Sequence, residues 1–161
     1  MVAFLAVAVV IALVMSPAPT ERVNHAAVTV EVLPVATTVV AGTPLRATVI
    51  IVNRTRHTIA IYGCPNAQVL VGIANSLVAF DPPIALNLCI HVGHLTPGVH
   101  RQRFMILTTY YGCGGGFPPC VNGAPPVLPT GTYETKMLLF GFPRGTAVIN
   151  PVAVTVVAPR A

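Results

Sequence analysis

Charged residues are scarce in this sequence of 161 residues. Asp, Glu, Lys and Arg make up 8% of the chain, against about a quarter of an ordinary soluble protein. Hydrophobic residues make up 54%, which excludes intrinsic disorder because a disordered chain combines low hydrophobicity with high charge. The 16 prolines and 13 glycines argue against a helical bundle, since both residues destabilise helix interiors. The length fits a single domain.

Side chains for hydrolytic chemistry are also few. Beyond residue 25, Ser76 is the only serine, and it does not lie in a nucleophile elbow. Glu31 and Glu134 fall on the polar faces of predicted strands, which is typical of solvated surface charge rather than of a catalytic carboxylate pair. The glycines at residues 114–116 lack the lysine and the helix of a phosphate-binding loop. The sequence therefore predicts a non-enzymatic protein with no catalytic residues and no cofactor.

Basic residues outnumber acidic ones by 9 to 4, which gives a net charge of +5 at pH 7. A basic balance indicates nucleic-acid binding when Lys and Arg cluster on one surface. Here they are scattered along the sequence, and the only close pairs are Arg54 with Arg56 and Arg101 with Arg103. We therefore expect the charge to serve solubility, and we expect no nucleic-acid partner.

The N-terminal segment at residues 1–15, MVAFLAVAVVIALVM, contains no polar side chain. As a helix it would cover about 22 Å, which is short of a hydrocarbon core of about 30 Å and suits the apolar part of a secretory signal. We interpret residues 1–25 as a signal peptide or membrane anchor with a short linker, and residues 26–161 as one β-sandwich domain. The predicted location is secreted or in the cell envelope, with membrane contact only through residues 1–25 if they stay uncleaved. A buried core helix is the alternative.

Four cysteines agree with export, because an even number in an exported chain suggests disulfides. Cys113 and Cys120 flank a short loop rich in glycine and proline. We therefore predict a Cys113–Cys120 bridge and, by elimination, a Cys64–Cys89 bridge. In the chain-entropy treatment these bridges are worth about 2.5 and about 3.5 kcal/mol. The other two pairings stay open, as do four unpaired thiols in a reducing compartment.

Three histidines lie close together in the sequence near a cysteine. Cys89 precedes His91 and His94, and His100 follows. Zinc needs three or four convergent nitrogen or sulfur ligands, whereas strand positions three apart point to opposite faces. We therefore predict exposed histidines around a turn and no metal site.

Beyond residue 25 the dominant pattern is period-two alternation of apolar and polar residues. In the first such segment Val28, Val30 and Val32 share one face, with Thr29 and Glu31 on the other. Eight segments of this kind are separated by turn signals, namely residues 28–32, 45–51, 59–61, 69–73, 84–90, 99–109, 131–139 and 152–156. They predict an all-β fold, an antiparallel immunoglobulin-like β-sandwich of about eight strands. Residues 110–129 lack periodicity and are predicted to form a long loop.

Two turn-and-strand units carry a resemblance to a known family. One is LTPG at residues 95–98, which leads into a long strand, and the other is LPTGTY at residues 128–133. Upstream, a strand ends in Asn53 and a short strand follows. Over about residues 45–140 the chain resembles the intracellular proteinase inhibitor family of Bacillus type and the exported immunoglobulin-like domains that share its pattern. It is also similar to small secreted actinobacterial proteins of unknown function. The resemblance implies the sandwich fold and, as an activity, proteinase inhibition.

The glycine-rich loop is the most informative local feature for function. Loops on rigid scaffolds commonly carry binding, a bridge would pre-order this one, and Tyr110, Tyr111 and Phe117 would supply contact area. We therefore expect a non-enzymatic binding or structural domain that meets a protein or a cell-envelope component. In the alternative, the loop is only a stapled connection whose aromatic rings fold back on the core. Two other hypotheses are a proteinase inhibitor that presents this or a neighbouring loop, and a metal enzyme around His91 and His94.

Overall fold

The computed structural model describes residues 26–63, 68–82, 91–149 and 151–159. In these ranges the protein is all-β, with ten strands and no helix, and hence no helix that is long and apolar enough to cross a membrane. The strands are β1 (Val28–Pro34), β2 (Thr38–Val40), β3 (Leu45–Asn53), β4 (Ile59–Gly63), β5 (Val69–Ala74), β6 (His91–Leu95), β7 (Gly98–Ile106), β8 (Gly131–Leu139), β9 (Ala147–Ile149) and β10 (Ala153–Val157).

The described strands form three sheets. The first has the order β7-β3-β1-β9, the second has the order β2-β10-β8-β5, and the third is the pair β4-β6. Most neighbours are antiparallel, but β9 runs parallel to β1 and β2 runs parallel to β10. The prediction of a purely antiparallel arrangement is therefore wrong. Both parallel pairings involve strands of three residues at a sheet edge, which are too short to show an alternating pattern.

Seven of the eight predicted strands correspond to described strands, and β2, β6 and β9 are additional. Residues 91–95, which we expected around a turn, form β6 and pair with β4. Gly93 fits inside this strand because the side-chain amide of Gln68 occupies the place where a Cβ would lie. The predicted strand at 84–90, the segment 1–25 and the cysteines Cys64 and Cys89 lie outside the described residues.

A single core cluster takes residues from all three sheets. The register aligns Val30 with Ile51 and Val32 with Val49 across β1 and β3, and all four side chains are buried. Strands β8 and β10 of the second sheet bury their alternate residues in the same cluster. Removing this aliphatic surface from water favours folding by about 25 cal/mol per Å². The fold thus rests on the alternation that the sequence shows.

Two buried polar side chains fix the ends of strands. At the end of β3, Asn53 is only 2% exposed, and its Nδ2 donates hydrogen bonds to the carbonyls of Leu95 (2.9 Å) and His57 (3.0 Å). Its Oδ1 accepts from the backbone and hydroxyl of Thr55. Early in β8, the Tyr133 ring is 1% exposed and its hydroxyl donates to the carbonyl of Pro129 at 2.7 Å. The hydrogen bond from Tyr133 to Pro129 holds the end of the loop that precedes β8.

Candidate functional site

The long connection between β7 and β8 runs from residue 107 to residue 130, and the structure describes all of it. As predicted, residues 110–129 form no strand, only isolated bridges. The base of the connection is held by two backbone bonds of 2.9 Å, from Tyr110 to Pro126 and from Leu128 to Thr108. The hydroxyl of Thr108 donates to the carbonyl of Thr43 at 2.9 Å. The loop is therefore fastened at its base and free to present its tip.

A disulfide closes the tip of this loop. Cys113 and Cys120 are bonded, with Cα atoms 5.0 Å apart, and this confirms the predicted local bridge. The three glycines between them have positive φ angles of 69°, 60° and 112° at residues 114, 115 and 116, a conformation that strains any residue with a Cβ. No atom lies within 4 Å of a Cβ placed on any of them. The tip is thus an open, exposed surface whose shape requires glycine.

The three aromatic residues of the predicted recognition loop are half-buried. Tyr110 packs against the core, and its ring centroid lies 6.4 Å from that of Phe117 in an edge-on arrangement. Tyr111 instead packs against Phe80, with the two ring centroids 5.8 Å apart. The rings therefore attach the loop to the domain, and each keeps an exposed part.

Gly72 on β5 provides the space in which the loop docks. A Cβ at this position would overlap the ring of Phe80 and meet the hydroxyl of Tyr111. Val71 and Ile73 point into the core, and so Gly72 lies on the opposite face of β5. The missing side chain leaves a slot on this face for Phe80 and Tyr111. A strand residue thereby sets the position of a loop that is distant from it in the sequence.

A cleft of about 430 Å³ lies between the disulfide loop and the segment that follows β5. The cleft is lined by the aromatic residues Tyr111 and Phe117, the bridged Cys113, and the residues Asp81 and Pro82. Aromatic side chains together with one carboxylate suit a cationic or apolar side chain of a ligand. The described lining holds no imidazole and no hydroxyl nucleophile other than the tyrosine phenol.

The sequence did not connect Asp81 with the loop. It showed Asp81 only as the aspartate of a strand-ending Asp-Pro-Pro, far from Tyr111 along the chain. The structure brings the two together through Phe80, the neighbour of Asp81, whose ring packs at a tilt against that of Tyr111 beside Gly72. The local sign of this contact was Gly72, a glycine within an alternating strand, because such a glycine often marks a close approach of another part of the chain. In the register it lies opposite Lys136.

The histidines of the metal hypothesis fall on two strands. His94 is exposed on β6, and His100 on β7 has its Nε2 2.8 Å from the carbonyl oxygen of Thr96. Across the described ranges, no three His, Cys, Asp or Glu side chains converge as a metal site would require. Cys89 and the side chain of His91 lie outside the described part of the chain.

No protein-family model matches the chain, and no curated protein is significantly similar to it in sequence. The resemblance to the proteinase inhibitor family thus stays a prediction. The function has to be argued from the loop and its cleft.

Tyr111 provides a test of how the loop is seated. Burial raises the pKa of Tyr111 to about 12 from an ordinary value of 10.0. Burial favours the neutral phenol, so this stabilisation is complete below pH 10 and is lost as the pH rises toward 12. In an ultraviolet titration we expect a tyrosinate transition near pH 12. Tyr111→Phe should reduce the late absorbance change by one tyrosine, since burial also raises the pKa of Tyr133.

The variant Gly72→Val should lower that transition toward pH 10, because the new side chain displaces Phe80 and the phenol of Tyr111 into water. Ala153→Val is the matched control, since Ala153 is an exposed position on β10 of the same sheet. It should leave the transition near pH 12. An unchanged titration in Gly72→Val would show that Tyr111 does not dock on β5.

Proposed function

We propose that this chain is a non-enzymatic binding domain of the cell envelope or exterior, and that the disulfide loop with its cleft is its recognition element. The supporting observation is the cleft itself, which lies between the bridged loop and Asp81. A bridge lowers the conformational entropy that a loop loses on binding. Disulfides persist in oxidising compartments, which supports the secreted or envelope location predicted from residues 1–25.

For the fold we propose an immunoglobulin-like β-sandwich, with β4-β6 as an additional small sheet. Two four-stranded sheets contribute to one core cluster, as the layers of a sandwich do. The hydroxyl of Tyr133 donates to the carbonyl four residues upstream, which is the tyrosine-corner arrangement of immunoglobulin-like domains. This supports the resemblance carried by residues 128–133.

The partner we propose is a protein or envelope component that inserts a basic side chain into the cleft. The carboxylate of Asp81 would pair with its charge, and the faces of Tyr111 and Phe117 would contact the cation. Because two of the rings also rest on the domain, they would hold the site in one shape before the partner arrives.

Proteinase inhibition is the alternative, and the loop geometry favours it less. An inhibitor that mimics a substrate presents an extended segment and a side chain to the protease. Residues 114–116 instead have left-handed φ angles and no side chains, so a neighbouring loop would have to serve. Incubation with a panel of exported proteases decides the point: we expect no inhibition at micromolar protein, and tight inhibition of one protease would establish the alternative.

Binding to delipidated cell-envelope material from the source organism tests the proposal. At about 1 M salt the Debye length is about 3 Å, so long-range charge effects are suppressed. We expect saturable binding that the double variant Cys113→Ser/Cys120→Ser weakens about tenfold or more, because the loop is no longer pre-ordered. Asp81→Asn should weaken binding several-fold.

Glu31→Gln is the matched control for Asp81→Asn. It also neutralises one carboxylate, but Glu31 lies on β1 of the first sheet and is not among the residues that line the cleft. Binding should be unaffected by this change. Equal binding by the wild type, the double cysteine variant and Asp81→Asn would refute the proposal.

A further inference from the structure

One face of the first sheet carries several arginines that are scattered along the sequence. Arg46 on β3 and Arg101 and Arg103 on β7 are exposed. The register sets Arg103 opposite Thr48 and Arg46 opposite Met105, two residues further along each strand. On β3, Arg46, Thr48 and Ile50 alternate with buried core residues, and side chains paired across two strands lie on the same face. Arg101 and Arg103 therefore share the outer face with Arg46. Arginines that are far apart in the sequence are therefore diagonal neighbours in space.

A fourth arginine, Arg54, extends the positive charge of this face, and Glu31 is the acidic residue beside it. Arg54 follows β3, and its Nη1 lies 3.3 Å from the hydroxyl of Thr29, an outer-face residue of β1. Glu31, also on β1, is an acidic residue of this face. The register pairs both Glu31 and Arg101 with Ile50, so β3 lies between them. The only ion pair among the described residues joins Lys136 to Glu134 on β8. We call the outer face of β7, β3 and β1 the basic face.

Exposed aliphatic side chains lie among these arginines. Leu33, Val99 and Met105 pair with outer-face positions of β3 and are 40%, 52% and 53% exposed. Val35, 69% exposed, follows β1 directly. Together with Arg46 and Arg103, Val35 and Met105 line a shallow groove of about 610 Å³. The basic face thus offers cations and apolar groups side by side on a broad sheet surface.

We propose that the basic face docks the protein onto bilayers that contain anionic phospholipid. Guanidinium groups bind phosphate in a bidentate manner, and a surface with four arginines and one glutamate is complementary to a negative headgroup layer. The aliphatic side chains between them match the apolar boundary below the headgroups. A broad sheet face with a shallow groove fits a planar partner better than it fits a single acidic side chain. This docking is separate from recognition by the disulfide loop.

Sedimentation of the full-length protein with vesicles tests the docking. Vesicles of phosphatidylcholine alone are compared with vesicles that also contain phosphatidylglycerol, at low and at high salt. We expect affinity for the anionic vesicles to be on the order of a hundredfold higher at low salt, since each arginine contributes roughly fivefold near an anionic surface. The preference should collapse at about 1 M salt. Residues 1–25 are the same in every variant, so their contribution cancels in the ratio.

The double variant Arg101→Gln/Arg103→Gln should reduce the anionic preference about 25-fold. Lys136→Gln/Arg144→Gln is the matched control, because it removes the same net charge from exposed positions outside the basic face. It should stay within about threefold of the wild type. If the double variant at β7 melts at a lower temperature, the single variant Arg103→Gln serves instead, with an expected loss of about fivefold.

Three results would overturn the proposal. They are equal binding of both kinds of vesicle by the wild type, an equal loss of the preference in both double variants, and binding of polyglutamate through these arginines without binding of vesicles. The last result would assign the basic face to an acidic protein. The double variant Cys113→Ser/Cys120→Ser should bind vesicles like the wild type, so the failure of either proposal leaves the other standing.

Discussion

Tyr133→Ala is expected to lower the free energy of unfolding by about 4 kcal/mol, the largest loss we expect from any single substitution. The ring is 1% exposed within the core cluster, and its removal leaves a cavity that rigid strands on both sides fill only partly. The hydrogen bond to Pro129 is lost as well. Denaturant unfolding of the purified protein measures this effect.

Tyr133→Phe separates the two contributions. It keeps the ring in the core and removes only the hydroxyl that donates to Pro129, so the expected cost is about 1 kcal/mol. A loss of similar size in Tyr133→Ala and Tyr133→Phe would mean that the hydrogen bond, and not the packing, gives this residue its role.

Asn53→Ala is expected to cost about 3 kcal/mol, although it removes few atoms. The change leaves the buried carbonyl of Leu95 without its donor and the amide of Thr55 without its acceptor, while the Thr55 hydroxyl keeps the carbonyl of His57 as an acceptor. A buried polar group without a partner costs about 1–3 kcal/mol. Unfolding should also begin at β6, because Asn53 links the end of β3 to Leu95. Denaturant unfolding and hydrogen exchange of β6 measure the two effects.

Asn53→Asp distinguishes the hydrogen-bond pattern from the shape of the side chain. The new carboxylate has the same size but cannot donate to the carbonyls of Leu95 and His57. Burial beside carbonyl oxygens should raise its pKa, so the variant should lose stability as the pH rises through that raised value. Stability that is the same in Asn53→Asp and in the wild type at neutral pH would contradict the proposed role of the amide.

Local patterns account for what the sequence could predict. The alternation in β1 and β3 is visible because each strand is long enough to bury every second residue, as Val30 and Val49 show. The Cys113–Cys120 bridge was predictable because its two cysteines are close in the sequence. By contrast, the three-residue strands β2 and β9 carry no period, and their parallel pairing depends on where other strands run.

The two surfaces that we propose for binding depend on contacts between distant residues, and no local pattern marks such contacts. Tyr111 reaches Gly72 only because the loop folds back over β5, and this juxtaposition creates the cleft beside Asp81. The basic face arises in the same way. The arginines look scattered in the sequence, but the register of β3 with β7 places Arg46 and Arg103 on one surface. The sequence predicts the strands, and only their pairing reveals which side chains act together.

Hydrogen exchange of the full-length protein, with and without saturating delipidated envelope material at about 1 M salt, most directly tests whether the disulfide loop is the recognition element. We predict slower exchange at residues 110–120 and at Asp81, which border the cleft, with the rates in β3 and β7 unchanged. Protection confined to other parts of the domain, with residues 110–120 exchanging at the same rate in both samples, would contradict the account.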